Sequence, residues 1–225
     1  MHGFLWRALG LGIVALLIGV MLIFLLWRGS QVAPTFYQEA LAVTPETQRQ
    51  ASEEFTAATE EVVELIESKR EWETSISEEQ LNGWLAIDLQ EMLRAQGITE
   101  LEQPRCRIET DGLSLACRWK ASGVGGVLLL ECRPVYDADS ESLTIELHRI
   151  SSGLLSVPRS RWLEPVRRAI ESSNLPVTWG VDQEPPSFEV DLSRIEASPG
   201  RRLTFESVEL QEGAIVVSGS SLPMN

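Results

Sequence analysis

The residues best suited to catalysis lie in the segment SISEEQLNGWLAIDL, which runs from residue 75 to residue 89. It places Glu78, Glu79, Asn82 and Asp88 close together in the chain. Paired carboxylates can serve as a general acid and a general base, and a neighbouring amide can bind a polar group of a substrate. The residue types therefore allow the hypothesis of an active site, which competes with a purely structural explanation.

The structural explanation is a capped helix. Ser77 and Gln80 have the S-x-x-Q spacing of a capping box, which predicts a helix that begins at Glu78. Gly97 followed by Ile98 predicts that this helix ends in a Schellman motif. In such a helix the first-turn acids interact with the positive helix end, Asn82 lies off the apolar face, and Asp88 lies near that face without a visible partner. We therefore favour the helix and assign no catalytic residue.

Other signatures of catalysis are missing from the sequence. His148 is the only histidine besides His2, so a catalytic triad or a Cys-His pair would depend on this single residue. The glycine-rich segment SGVGGV lacks the Lys-Ser/Thr that follows in a phosphate-binding loop. No CxxC, HExxH or calcium-loop spacing occurs. We expect a protein that is not an enzyme and that uses no metal or cofactor.

The charge of the chain is strongly acidic. It has 33 acidic and 19 basic residues, a formal net charge of −14, and only Arg7 and Arg28 are charged within the first 28 residues. The 197 residues that follow therefore carry a formal charge of −16. Such a balance repels nucleic acid and anionic headgroups. We expect no nucleic-acid partner.

Residues 1–28 are predicted to form an N-terminal transmembrane anchor. The segment from Ala8 to Trp27 has no charged residue, and a helix of this length spans a hydrocarbon core of roughly 30 Å. A cleaved signal peptide is the alternative, but the apolar run exceeds the usual length of such a segment. One Arg flanks each side, and the free amino group favours an inside amino terminus. We expect a single-pass protein of the cell membrane whose C-terminal domain lies outside the cytoplasm.

A juxtamembrane connector at residues 29–43 leads to an expected α+β domain at residues 44–225. Two helical patterns come first, one from Pro45 to about Arg70 and one from Glu78. Alternating segments then predict an antiparallel β-meander on which the two helices pack. A later helical segment follows at residues 161–174, in which a tight turn precedes a helix that begins at Pro165, and three C-terminal strands end the domain. The meander strands are expected at Arg105–Thr110, Leu113–Ala121, Val127–Val135 and Leu143–Ile150.

The three cysteines allow two interpretations. If Asp111-Gly112 forms a two-residue hairpin loop, Cys106 and Cys117 face each other across the first hairpin. A disulfide between them would suit an oxidising compartment, although a hydrogen-bonded pair is a strained place for one. Three reduced thiols packed as small apolar residues, with Cys132 among them, explain the same pattern equally well.

Four short segments follow the predicted anchor in this order: APTFYQEAL, ISEEQLNGWLA, GLLSVP and LTFESVELQEGAIVVSG. In these segments and in the order of its parts, the chain resembles the YpmS-like group of membrane-anchored extracytoplasmic bacterial proteins. The resemblance implies a one-pass anchor that carries an α+β module, with curved-sheet relatives suspected of holding lipids. It supplies no catalytic residues.

Two classes of function follow from these expectations. The first is a non-enzymatic envelope protein whose domain binds lipid or another apolar ligand between the sheet and its helices, lined by Trp84, Trp119, Leu130 and Trp162. Ordinary core packing is the alternative explanation for these four residues. The second class is a scaffold that contacts other envelope proteins through its acidic face or through the edge of its final strand.

Overall fold

The computed structural model of the chain describes residues 28–68, 71–121, 124–158, 176–180, 184–194, 196–198 and 201–223, with the single residues 21, 163, 164 and 167. The predicted anchor lies outside the described residues except for Met21 and Arg28, and so does most of the predicted later helix. Within the described ranges, no helix has both the length and the apolar character needed to cross a membrane.

The helices follow the local signals of the sequence. They are α1 at Thr35–Leu41, α2 at Pro45–Ser68, α3 at Glu78–Trp84, a π-helical turn at Leu85–Leu89 and α4 at Gln90–Ala95. The capping box of Ser77 and Gln80 is present, with hydrogen bonds in both directions. The N–H of Ile98 donates to the carbonyl of Leu93 at 2.9 Å, next to Gly97 at φ 77°. Both predicted ends of this helical segment are confirmed.

The chain is α+β, with two antiparallel sheets. The strands are β1 Glu71–Ser77, β2 Leu101–Glu109, β3 Gly112–Ala121, β4 Val124–Asp137, β5 Ser142–Ser152, β6 Leu155–Ser156, β7 Val177–Gly180, β8 Ser187–Asp191, β9 Glu196–Ser198, β10 Arg201–Gln211 and β11 Ala214–Pro223. The larger sheet has the strand order β2-β3-β4-β5-β8-β7, with β6 paired to β5, and the smaller one has the order β1-β11-β10-β9. The predicted four-strand meander is confirmed as β2 to β5.

The register of the first hairpin differs from the prediction. Glu109 pairs with Gly112, so the two loop residues are Thr110 and Asp111 rather than Asp111 and Gly112. A Cβ on Gly112 would lie 2.9 Å from the carbonyl oxygen of Cys132 on β4. This glycine is therefore required where two strands approach closely, and its presence after an aspartate does not mark the loop.

The smaller sheet contains a strand that the sequence analysis did not predict. β1 pairs with β11 along its whole length, from Glu71 opposite Ser220 to Ser77 opposite Ala214. Because β10 pairs with its other side, β11 is an inner strand. The expectation that the final strand offers a free edge to partners is therefore wrong.

The helices are divided between the sheets, which corrects the expectation that both pack on the meander. Helix α2 packs on the smaller sheet, where Val62 and Leu65 contact Trp72 of β1. Helix α3 and the π-helical turn cover the start of the meander, and the β10–β11 hairpin lies beside them. The residues of this second cluster are Leu81, Trp84, Leu85, Leu89, Cys106, Ile108, Leu113, Leu210 and Ile215.

The opposite face of the meander is covered by α1. Tyr37 is fully buried against Ala116 and Val127, and its hydroxyl donates to the carbonyl of Gln103 at 3.0 Å. Upstream of α1, the carbonyl of Gly29 accepts a hydrogen bond from the N–H of Leu154 at 3.0 Å. The segment predicted as a juxtamembrane connector thus contributes buried contacts and hydrogen bonds to the fold.

Candidate functional site

A cavity lies where α1, α2, α3, β2 and the β10–β11 turn meet. Its volume is about 590 Å³, within the usual range for small-molecule sites, and it is partly open to solvent. The lining residues fall into three groups: apolar or small (Phe36, Ala40, Val43, Ala51, Gly83, Gly213), neutral polar (Thr47, Gln48, Ser77, Asn82) and charged (Glu39, Glu78, Glu79, Arg105, Arg107, Glu212).

Helix α3, whose residue types allowed the active-site hypothesis, forms one wall of this cavity. Its polar side chains form hydrogen bonds with the backbone of β2. Asn82 accepts from the N–H of Cys106 at 2.8 Å and donates to its carbonyl at 2.9 Å. Glu78 accepts from the N–H of Ile108 at 2.7 Å and lies 3.5 Å from the guanidinium of Arg107. These side chains are spaced one helical turn apart and attach α3 to the strand. Their contacts are structural.

Two expectations about this helix are wrong. Asn82 was placed off the packing face, yet it is the residue that joins α3 to β2. Asp88 was expected to have no partner, but its carboxylate accepts a hydrogen bond from the hydroxyl of Ser52 on α2. Sequence periodicity found only the apolar contacts of this helix, and its polar contacts depend on strands and helices far away in the chain.

Arg105 is the unusual residue of the cavity. Its side chain is charged, yet only 4% of the residue is exposed. Its Nη1 donates to the carbonyl of Pro104 at 2.7 Å, and its Nε donates to the carbonyl of Ala40 in α1 at 3.4 Å. Among the described residues, no carboxylate lies within 4 Å of this guanidinium. Desolvation lowers the pKa of Arg105 from its ordinary value, although an arginine remains protonated at neutral pH.

A bulge in β2 sets the direction of Arg105. The pairing with β3 is interrupted between Glu102 and Arg105, and Gln103 has a φ of 54°, a left-handed conformation that is costly for a residue other than glycine. The side chain of Gln90 holds this bulge by accepting from the N–H of Gln103 at 2.6 Å and donating to the carbonyl of Leu101 at 3.1 Å. Pro104 within the strand was the sequence signal for an irregularity here.

Three of the four predicted apolar lining residues do not line this cavity. Trp84 packs in the core of α3 and β2, with its ring centroid 5.5 Å from that of Phe55. The Nε1 of Trp119 donates to the hydroxyl of Ser152 at 3.3 Å, and Leu130 lies in β4 opposite Leu115 and Ile150. The fourth, Trp162, lies outside the described residues. The structure therefore does not bring Trp84, Trp119 and Leu130 together around this cavity.

The cysteines are separate thiols. Cys106 lies opposite Leu115, so Cys117 is its diagonal neighbour rather than its facing partner. All three cysteines are unbridged, and burial raises the pKa of Cys106 to about 12 and the pKa values of Cys117 and Cys132 to about 11. Diagonal neighbours in a sheet are about 7–8 Å apart, which exceeds the reach of a relaxed disulfide. The register that predicted a Cys106–Cys117 bond is wrong.

Other groups suited to chemistry are scattered. The Nε2 of His148 lies 3.3 Å from a carboxylate oxygen of Glu146, on a largely exposed part of β5. Within the described ranges, no group of three His, Cys, Asp or Glu side chains is placed to hold a metal ion.

Comparisons of the chain with protein-family models, with curated proteins and with solved structures find no match.

Proposed function

We propose that the protein is a non-enzymatic, single-pass envelope protein whose extracytoplasmic α+β domain binds a lipid or a similar amphiphile in the cavity beneath α1. The observation that carries this proposal is the cavity itself, which is about 590 Å³ in volume and is partly lined by α1, the helix within the connector. Its lining combines apolar or small residues with polar and charged ones, which suits a ligand with an apolar part and a polar head.

The connector gives a reason to relate this cavity to a membrane. The uncharged segment from Ala8 to Trp27 is long enough to span a bilayer. Gly29 already hydrogen-bonds with Leu154, and Tyr37 is fully buried. No flexible tether separates the described domain from the proposed anchor, so the domain is held close to the lipid surface. The resemblance to YpmS-like proteins supports the same arrangement.

The binding proposal is tested by filling the cavity. Ala40 lines it, whereas Ala42, at the end of the same helix, is exposed and does not line it. We expect native mass spectra of the detergent-extracted full chain to show lipid that co-purifies with the wild type and with Ala42→Phe but not with Ala40→Phe. Lipid-free wild-type protein would contradict the proposal. Equal melting temperatures of the two variants exclude misfolding as the cause.

The proposed topology has its own test. Protease added to spheroplasts should remove the domain beyond Arg28 and spare the amino terminus, because the charge bias favours an inside amino terminus. A tag after Asn225 that stays protected until the membrane is broken would overturn the extracytoplasmic location.

The second candidate function is a scaffold for other envelope proteins. The acidic surface favours it, since the chain beyond Arg28 has about twice as many acidic as basic residues. With β11 inside its sheet, one edge of that sheet is β1, where Glu71 and Glu73 are exposed and discourage edge pairing. A stoichiometric protein partner without lipid in the same mass spectra would favour this function.

A further inference from the structure

We propose that Arg105 binds the anionic head of the ligand, a carboxylate or a phosphate, in the cavity beneath α1. This inference rests on the proposed function and adds the chemical class of the head group. Its starting point is that Arg105 carries a charge while being almost fully buried, without a carboxylate partner among the residues that the structure describes.

A buried charge without a counter-ion is costly, and folded proteins compensate for it with pairing and hydrogen bonds. A guanidinium has five N–H donors, and two of those of Arg105 reach the carbonyls of Ala40 and Pro104. The donors that remain belong to the planar fork that binds carboxylate or phosphate through two parallel hydrogen bonds. Arg105 is among the residues that line the cavity, and we infer that these remaining donors are within reach of an anion that enters it.

The fold holds Arg105 in place before any ligand arrives. The bulge at Gln103 is fixed by Gln90 from α4 and by the hydroxyl of Tyr37 from α1. The left-handed conformation of Gln103, directly before Pro104 and Arg105, costs conformational free energy, and the surrounding contacts hold the backbone in it. A side chain that is already oriented loses little freedom on binding, which favours affinity.

The neighbouring Arg107 provides the matched comparison. It lines the same cavity, but its side chain is 38% exposed and lies 3.5 Å from the carboxylate of Glu78. Its charge is therefore already balanced. The exposed carboxylates of Glu39, Glu79 and Glu212 also line the cavity, where water and salt screen their repulsion of an anion. Of the two cavity arginines, only Arg105 has an unbalanced charge.

The test compares three probes on delipidated full-length protein in detergent, with bound mass read by native mass spectrometry. Oleate carries an anionic head, oleyl alcohol has the same chain without charge, and inorganic phosphate is an anion without a chain. We expect Arg105→Met to weaken oleate binding by about tenfold or more, with oleyl alcohol unaffected. Arg94→Met, at an exposed position outside the cavity, is the control and should stay within about twofold of the wild type. Arg105→Lys should give an intermediate loss, because it keeps the charge but not the fork.

The outcomes separate the two proposals. If oleate and oleyl alcohol bind and neither responds to Arg105→Met or Arg105→Lys, the anion site is wrong and the apolar cavity stands. If neither amphiphile binds but phosphate binds in an Arg105-dependent way, the anion site stands and the lipid function fails. If none of the probes binds, both proposals fail. A loss of stability in Arg105→Met without any loss of oleate binding would show that Arg105 only ties β2 to α1.

Discussion

Asn82 and Cys106 form a two-point hydrogen-bonded pair that joins helix α3 to strand β2. The amide oxygen of Asn82 accepts from the Cys106 N–H at 2.8 Å, and its amide nitrogen donates to the Cys106 carbonyl at 2.9 Å. Cys106 is fully buried, so no water can replace a lost partner at its backbone. The side-chain amide of Asn82, which the sequence suggested as a catalytic group, therefore attaches α3 to β2.

We expect Asn82→Ala to lower the free energy of unfolding by about 2 kcal/mol, since a buried N–H and a buried carbonyl are left unpaired. Urea denaturation followed by circular dichroism measures this loss. Glu79→Ala, at an exposed position of the same helix, is the control and should change stability by less than about 0.5 kcal/mol. An unchanged stability together with lost ligand binding would instead support the active-site hypothesis for this segment.

Gly83 marks the closest approach of α3 to α2. A Cβ at this position would lie 2.5 Å from the backbone nitrogen of Ser52 and 2.7 Å from the backbone carbon of Ala51. Alanine normally favours a helix by about 1 kcal/mol over glycine, but backbone atoms cannot move aside as a flexible side chain can. We expect Gly83→Ala to destabilise the protein by about 2 kcal/mol in the same urea assay. A stabilised variant would show that the helices are less closely packed than the structure indicates.

The parts of the fold that were predicted correctly are those with a local cause. The capping box at Ser77, the αL glycine at Gly97 and the alternation of β2 to β5 are each readable within a few residues. The register error came from the same local reasoning. Gly112 follows an aspartate, as in a hairpin loop, yet its role is set by the Cys132 carbonyl on another strand. A long-range contact decided what that glycine does.

The cavity could not be predicted from the sequence because it too depends on long-range contacts. Its walls come from α1, α2, α3, β2 and the β10–β11 turn, and its lining runs from Phe36 to Gly213 along the chain. Arg105 follows a proline within a strand, and that pattern indicates a bulge but not the direction in which the side chain points. The prediction selected large apolar residues such as Trp84, Trp119 and Leu130, whereas most of the residues that line the cavity are polar or charged.

Tyr37 makes the stability of the domain sensitive to alkaline pH. Burial is the main cause that raises the pKa of Tyr37 to about 12 in the folded protein, against an ordinary value of about 10. The folded state thus keeps a proton that the unfolded state releases. The stabilisation is complete below pH 10 and is lost as the pH rises through 12.

We expect Tyr37→Phe to remove up to roughly 3 kcal/mol of this pH dependence, measured as the difference in unfolding free energy between pH 9 and pH 12. Below pH 10 the variant should be less stable than the wild type, since it lacks the hydrogen bond to Gln103. Absorbance at 295 nm should show the later of the two tyrosine titrations disappear in the variant. A wild-type protein in which both tyrosines titrate near pH 10 would contradict the burial of Tyr37.

The final prediction concerns the redox state of the cysteines, since the observed register no longer supports a bond in the first hairpin. Cys106 lies opposite Leu115, and Cys117 is displaced along β3 to a diagonal position. We expect peptide mapping under non-reducing, denaturing conditions to find Cys106, Cys117 and Cys132 all alkylated.

In the folded protein at pH 8, alkylation of these three cysteines should be much slower than that of a free thiol, because burial raises all three pKa values and little thiolate is present. Cys117 should react first, since it is the least buried of the three. A linked Cys106–Cys117 peptide would show that the two strands of the hairpin shift by two residues relative to each other, and the register described above would then be wrong.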